Sequence, residues 1–235
     1  MARYISLYSG SSGNCSVVEE NGKFILIDMG KSARLTNKAL TELGLDIKNL
    51  QGILVSHEHT DHTAGLKVFL KNLRVPVYTG WATADYLTAR DMIPAHIEVN
   101  DIDFSGFNIG DFYVKGFETP HDSVGCMGFR IATEKGRKMS IATDLGFVTE
   151  DIFNSLRNVD LAVVESNYDV QMLKEGPYPY YPKYEKPLRH RFANGQHGLQ
   201  GCRCRAESPQ CEQARRCARH SRAWRESRRR SLPRV

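Results

Sequence analysis

The stretch VSHEHTDHTAGL, residues 55–66, carries three histidines and one aspartate within six consecutive positions. The run GILVS at 52–56 predicts a buried strand before this cluster, and apolar residues from Leu66 to Leu73 predict an amphipathic helix after it. The cluster therefore lies on a short connection that follows the carboxyl end of a strand. Such connections commonly carry the functional sites of layered α/β folds, so the stretch also indicates the fold class.

The four polar side chains of the cluster are His57, His59, Asp61 and His62. In an extended loop His57 and His59 point to the same side, whereas the other two fall on the turn that opens the helix. One loop can thus supply imidazoles to one metal ion, and a carboxylate with an imidazole to an adjacent one. Zinc accepts this set of ligands, and so do manganese and iron. A single buried histidine is usually a hydrogen-bonded core residue, but this many unpaired polar groups would each cost on the order of several kcal/mol on burial.

Further ligands are predicted where other strands end. His121 follows a predicted strand in FETPHDS, and Asp144 closes the strand SIAT. Each has an ordinary alternative, because a loop histidine needs no metal and an aspartate at a strand end often forms a turn. The combination of these loops with the histidine-rich loop favours the metal interpretation. Asp28, at the end of FILID, is expected to fix a ligand loop by hydrogen bonds instead of binding the ion itself.

Short apolar runs bounded by Gly, Asn and Asp predict strands along most of the chain, with helices between them. One helix is expected from Ser32 to Leu43, with Ser32 as the N-cap and with Leu35, Ala39 and Leu40 on its apolar face. Strands outnumber helices, which predicts α/β layers with helices on the outer faces of sheets. The later predicted elements are a helix near 81–90, a helix capped by Thr149, and strands at 109–118, 127–133, 138–143 and 160–166.

Charge and composition divide the chain near residue 183. Residues 1–183 carry 18 Lys and Arg against 23 Asp and Glu, a net charge of −5, whereas residues 184–235 carry 14 against 4, a net charge of +10. We therefore expect a folded domain at 1–183, for which charge alone does not predict a nucleic-acid-binding face, followed by an Arg- and Cys-rich tail that cannot build a core and is expected to be disordered. The N-terminal segment has no signal-peptide pattern, so a reducing, cytoplasmic setting without membrane association is expected.

These motifs together resemble those of the metallo-β-lactamase-fold hydrolases. HEHTDH, preceded by ILIDMG, matches the H-x-H-x-D-H pattern of that superfamily. SGSSGNCSVV, TPHDS, ATDLG and VESNYD are similar to its YycJ/WalJ-type branch. The resemblance covers about residues 3–181 and implies an αββα sandwich with metal ions at one edge of its two sheets.

The resemblance also implies a specific role for each candidate residue. It implies two divalent cations held by six ligands: His57, His59 and His121 for the first, Asp61 and His62 for the second, and Asp144 bridging both. Zinc is the expected ion, with manganese or iron as alternatives, and Asp61 would orient the attacking water. The branch is linked to DNA processing and 5′-to-3′ exonuclease activity, so the resemblance implies a DNA substrate.

The chain departs from the family pattern after YPYY. Family members continue into a GHLSN-like segment and a late HLS-type histidine that completes the second metal site, but here the sequence reads LRHRFANGQHGLQG. We favour an out-of-frame translation of a GC-rich gene end for the tail. The alternatives are a basic arm for nucleic acid and a zinc-binding segment built from Cys202, Cys204, Cys211 and Cys217.

Two other functions remain open on the sequence alone. The same pair of cations can also hydrolyse a lactone or a thioester, because the surrounding loops select the substrate. A domain that lacks its last ligand motif and covering elements would instead be an inactive, metal-binding remnant, since an uncovered sheet edge is a liability.

Overall fold

The computed structural model describes residues 1–164 of the 235-residue chain, and these residues form two β-sheets flanked by helices. The strands are β1 (Arg3–Tyr8), β2 (Cys15–Glu20), β3 (Lys23–Ile27), β4 (Leu50–Leu54), β5 (Val77–Thr79), β6 (Val99–Asp101), β7 (Phe107–Ile109), β8 (Phe112–Glu118), β9 (Met127–Thr133), β10 (Lys138–Ala142) and β11 (Leu161–Val164). The helices are α1 (Ala33–Glu42), α2 (Thr60–Thr63), α3 (Leu66–Leu70), α4 (Trp81–Ala89) and α5 (Glu150–Ser155).

The first sheet has the order β1-β2-β3-β4-β5-β6. Its first three strands are antiparallel, and β3 to β6 pair in parallel. Asn21 and Gly22 form the two-residue turn between β2 and β3, and both have positive φ, as the turn favoured by hairpin twist requires. The parallel pairing brings the carboxyl ends of β3, β4 and β5 to the same edge of the sheet.

The second sheet has the order β11-β10-β9-β8-β7. The strand predicted at 109–118 is wrong in one respect, because the chain reverses there and forms the hairpin of β7 and β8 instead. Gly110 has a φ of 54° and begins the two-residue turn, with Asp111 as its second residue. A glycine adopts this left-handed conformation without a side-chain clash, which permits the reversal.

Alternate residues of the strands pack into different layers. Between the sheets lie Ile25 and Leu54 of the first sheet with Phe112, Phe129 and Ile131 of the second. On the outer face of the first sheet, neighbouring strand residues pack against helices α1, α3 and α4. Helix α5 covers the second sheet from its own side. The predicted αββα arrangement is therefore confirmed.

Helix α1 confirms the predicted cap but corrects the predicted face. The Ser32 hydroxyl accepts a hydrogen bond from the Leu35 backbone N–H at 3.4 Å. The buried residues, however, are Ala33, Thr36 and Leu40, while the Leu35 side chain is exposed. The sequence-based face is rotated because it included the large Leu35, whereas the helix buries the smaller Ala33 and Thr36 together with Leu40.

The loop that follows β3 packs in direct backbone contact with two other loops. The N–H of Gly30 donates to the carbonyl of Asn14 at 2.8 Å, and the N–H of Gly65 donates to the carbonyl of Met29 at 2.8 Å. A Cβ built on Gly30 would overlap the carbonyl oxygen of Asp61. The glycine thus allows the β3 loop to touch the loop that contains the histidine cluster.

Within residues 1–164 we find no helix of the length and apolarity needed to cross a bilayer. The boundary predicted at residue 183, the tail interpretations and the predicted end of the last strand fall outside the described residues.

Gly30→Ala is expected to lower the free energy of unfolding by at least about 3 kcal/mol, because an added methyl group must displace backbone instead of a flexible side chain. Gly125→Ala is the matched control, since its Cβ would meet Ala82 Cβ at an ordinary 3.4 Å. Urea unfolding of both variants measures the difference. Equal stability of the two would contradict the tight crossing.

Candidate metal centre

The predicted site residues lie at one edge of the two sheets, on loops that follow strands or, for Asp61 and His62, in the short helix α2. Asp28 follows β3, and the histidine cluster begins at His57 after β4. On the second sheet His121 follows β8 and Asp144 follows β10. A backbone hydrogen bond of 3.0 Å from Met127 N–H to the Ser56 carbonyl joins the two sheets at this edge. The fold therefore brings together residues that are up to 116 positions apart in sequence, from Asp28 to Asp144.

Three imidazoles form the first group. His57, His59 and His121 each offer a ligand atom within 4.8 Å of the others. The His121 Nε2 and His59 Nδ1 atoms are 3.2 Å apart. His57 is completely buried, its Nδ1 lies 3.0 Å from the Ser56 hydroxyl, and its Nε2 has no hydrogen-bond partner among the described residues. Burying a nitrogen without a hydrogen-bond partner costs free energy, so His57 Nε2 is suited to bind a metal ion through its lone pair.

The second group overlaps the first. Ligand atoms of His57, His62 and Asp144 also lie within 4.8 Å of one another, and His62 Nε2 is 3.1 Å from Asp144 Oδ2. Asp61 lies at the margin of this group, with its Oδ2 3.6 Å from His62 Nε2 and its side chain 29% exposed. The structure thus places all four residues of the cluster at the site, but it puts Asp61 outside the two compact groups.

Asp28 connects the loops beneath these groups. Its Oδ1 accepts hydrogen bonds from the backbone N–H and the hydroxyl of Ser56, at 2.8 and 2.9 Å. Its Oδ2 lies 2.8 Å from His62 Nδ1. Both Asp28 and Asp144 have positive φ, 62° and 53°, a conformation that aspartate tolerates better than most residues but that still stores strain. The carboxylate of Asp28 therefore orients His62 so that Nε2 faces the site.

The environment divides the histidines by charge. Burial, and after it the positive charge of His62, lowers the pKa of His57 to about 2, and burial lowers the pKa of His121. Burial alone would lower the pKa of His62, but the carboxylates of Asp28 and Asp144 outweigh it and raise that pKa to about 11. Burial would raise the pKa of Asp144, yet its contact with His62 lowers it below the ordinary value. Without a cation, the site thus keeps neutral imidazoles on one side and a positive charge on the other.

Two further residues of the site escaped the sequence-based prediction. The Asn14 side chain, from the loop between β1 and β2, lies against Asp61 and His62. Glu58, inside the histidine motif, is buried and accepts a 3.0 Å hydrogen bond from Val124 N–H. The turn-rich SGSSGN stretch predicts that Asn14 lies in a loop, but it does not indicate that its side chain reaches the site. For Glu58, no periodicity in the sequence distinguishes a buried glutamate from a solvent-exposed one.

Glu58 ties the loop that carries His121 to the histidine motif. The same loop is held from a second direction, because the hydroxyl of Thr83 on α4 donates to the Gly125 carbonyl at 2.9 Å. Gly146 N–H donates to the Pro120 carbonyl at 2.8 Å and joins the Asp144 loop to it. The candidate ligand loops therefore support each other.

The donor set fits divalent cations. Neutral imidazoles and carboxylates are the form in which these side chains bind metals, and the buried, unpartnered Nε2 of His57 points to such use. The positive charge of His62 lies between the carboxylates of Asp28 and Asp144. The negative charge of these carboxylates would equally stabilise a bound cation beside His62. The residues present therefore match the chemistry of a metal centre.

Comparison with known proteins agrees with this geometry. A sequence profile of the beta-lactamase superfamily domain matches residues 23–178. Exodeoxyribonuclease YycJ of Bacillus anthracis is 34% identical over 181 residues, which cover 74% of this chain and 66% of that protein. Exodeoxyribonuclease WalJ of Streptococcus pneumoniae is 29% identical over 185 residues, 76% of this chain and 67% of that one. The alignments thus span about two thirds of the length of these relatives.

Among solved structures, Zn²⁺-bound PqqB from Methylobacterium extorquens superposes with a TM-score of 0.64 at 14% sequence identity. The match covers 76% of this chain and 78% of PqqB. At this identity the similarity concerns the fold, which agrees with the two-sheet architecture described above.

The cation-free chain is expected to be most stable near pH 6.5. A histidine has an unfolded-state pKa of about 6.5. The raised pKa of His62 gives stability that is complete below that value and is lost as pH rises towards about 11. The lowered pKa of His57 gives stability that is lost as pH falls below about 6.5.

Asp28→Asn is expected to make the alkaline loss shallower than in the unsubstituted chain, where one proton corresponds to about 1.4 kcal/mol per pH unit. Urea unfolding in the presence of a chelator from pH 6 to pH 10 measures both slopes. Asp46→Asn, in an exposed turn, is the control and should leave the slope unchanged. Identical alkaline slopes in Asp28→Asn and the unsubstituted chain would contradict the role of Asp28.

Proposed function

Because the chain belongs to the β-lactamase superfamily, we propose that it is a metal-dependent hydrolase that cleaves phosphodiester bonds in DNA. The observation that carries the proposal is the convergence of His57, His59 and His121 within 4.8 Å, with the His57 Nε2 buried and without a partner. A second group that shares His57 extends the site towards His62 and Asp144. Two adjacent sets of donors suit two cations.

We assign the ligands according to this geometry and the family resemblance. His57, His59 and His121 would hold the first cation, and Asp61 and His62 the second. Asp144 would bridge them. Zinc suits the nitrogen-rich first set, and manganese or iron suits the oxygen-rich second set as well. Divalent cations in these positions would supply Lewis acidity, which polarises a phosphoryl oxygen and lowers the pKa of water.

The residues of the chain perform the remaining tasks. Asp28 fixes the Nδ1 side of His62 at 2.8 Å, so that Nε2 stays directed at the site. Glu58 holds the loop of His121 in place through Val124 N–H. Asp61 is the most exposed carboxylate of the site, with 29% of its side chain accessible. We propose that it would orient the attacking water molecule and receive its proton.

The relatives support DNA as the substrate class. Two of them carry the name exodeoxyribonuclease, and one is 34% identical to this chain. A phosphodiester also suits the proposed cation pair, because negative charge develops on its oxygens during hydrolysis. Net charge does not contribute to this assignment, since residues 1–183 have a net charge of −5.

Substitution of the first-group ligands is expected to reduce metal content. His57→Ala and His121→Ala should each lose at least one of the two proposed cations, because each removes a nitrogen donor from the set. Elemental analysis of purified, zinc- or manganese-reconstituted protein measures the stoichiometry. His96→Ala is the matched control, since His96 is exposed and its ring lies 3.0 Å from the Leu73 carbonyl, outside the two groups of candidate ligands. Unchanged metal content in both ligand variants would contradict the assignment.

The substrate class is tested with end-labelled DNA. The reconstituted chain is expected to degrade DNA labelled at the 5′ or 3′ end, and a chelator should abolish the reaction. Asp61→Asn is expected to lower the rate about 100-fold or more, because it removes a proton acceptor while keeping the side-chain shape. Lactone and thioester substrates are assayed in parallel. Turnover of either one without DNA degradation would replace the nuclease by a small-molecule hydrolase, and no turnover with two bound cations would favour an inactive metal-binding protein.

A further inference from the structure

We propose that Asn14 is a positioning residue for the second cation site, where its amide holds the Asp61 carboxylate in the orientation that the cation requires. The inference rests on the proposed two-cation site. Asn14 lies in the loop between β1 and β2, far in sequence from the histidine motif, and contacts the motif at both its backbone and its side chain.

The backbone of Asn14 is fixed on both sides. Its N–H donates to the carbonyl of Asp61 at 2.7 Å, and its carbonyl accepts from the N–H of Gly30 at 2.8 Å. The clash that any Cβ at Gly30 would make with the Asp61 carbonyl indicates how closely the three segments pack. The Cα of Asn14 therefore has a defined position relative to Asp61.

The orientation of the amide is also defined. Asn14 Oδ1 accepts a 2.8 Å hydrogen bond from Gly10 N–H, so Nδ2 must face the site. There Nδ2 lies 2.9 Å from His62 Nε2 and 3.3 Å from Asp61 Oδ2. An amide nitrogen only donates hydrogen bonds, so Asn14 Nδ2 needs an accepting lone pair, which the Asp61 carboxylate offers.

His62 cannot be the lasting partner of this amide. Its Nε2 faces Asp144 Oδ2 at 3.1 Å and donates a proton there in the cation-free chain, whereas as a ligand it would give its single lone pair to the cation. The Asp61 carboxylate has several lone pairs, so it can bind a cation and still accept from Asn14. When a cation binds His62, the amide of Asn14 thus retains Asp61 as its partner and restricts the rotation of that carboxylate.

This restriction matters because Asp61 has little other support. Its side chain is 29% exposed, and the hydrogen bond from Asn14 is the one we find for it within residues 1–164. Without that bond, the carboxylate must be ordered when the cation binds, at a cost in side-chain entropy. Loss of a residue that orients a ligand commonly weakens metal affinity about 10- to 100-fold.

The test uses the full-length, metal-free chain and cobalt as the probe, because the visible spectrum of Co²⁺ separates successive binding steps. Asn14→Ala is expected to weaken the second step about tenfold or more and to leave the first step, which involves the histidine triad, unchanged. Asn37→Ala, at an exposed position of α1, is the control and should match the unsubstituted chain in both steps.

Asn14→Ser is a second variant that keeps a small polar group in the loop but shortens the side chain that reaches Asp61. It should show the same selective loss at the second step. Unchanged affinity in both variants, equal weakening of both steps, or loss of the fold in both variants would overturn the role of Asn14. Uptake of one equivalent by the unsubstituted chain would instead overturn the two-cation site itself, which distinguishes failure of the proposed function from failure of this inference.

Discussion

The site depends on one buried carboxylate. Asp28 follows β3 in a left-handed conformation and accepts hydrogen bonds from Ser56 on the next parallel strand's loop, while its other oxygen faces His62. These contacts connect the loop that follows β3 to the loop that follows β4, which the pairing of the two strands would only place next to each other. Removing one partner from such a buried, hydrogen-bonded charge pair typically costs about 3–5 kcal/mol, because the other is left uncompensated. The conformation of the histidine motif is therefore coupled to the stability of the first sheet.

Much of this arrangement follows from sequence. Strand ends that carry His57, His121 and Asp144 were recognisable because polar, ligand-type residues interrupt apolar runs, and layered sheets bring such ends to one edge. The turn between β2 and β3 follows from its residues, because Asn21 and Gly22 adopt positive φ readily. The histidine-rich loop by itself predicted two adjacent cations, and the family resemblance added His121 as a ligand of the first and Asp144 as the bridge between them.

Other features depend on contacts that local patterns do not encode. Asn14 reaches Asp61 across 47 positions and Glu58 reaches Val124 across 66, so nothing in their own neighbourhoods distinguishes them from loop and surface residues. The outward turn of Leu35 reflects the close packing of α1 on the sheet, which selects the small side chains of Ala33 and Thr36. The reversal at Gly110 was missed because one glycine within an apolar stretch is compatible with a bulge as well as a turn.

The contact between Thr83 and Gly125 links helix α4, which supplies no candidate ligand, to the loop that carries His121. The loop of His121 is consequently anchored in part to a helix that lies outside the candidate site. A substitution in the first turn of α4 would therefore shift that loop without altering any of the candidate ligand side chains.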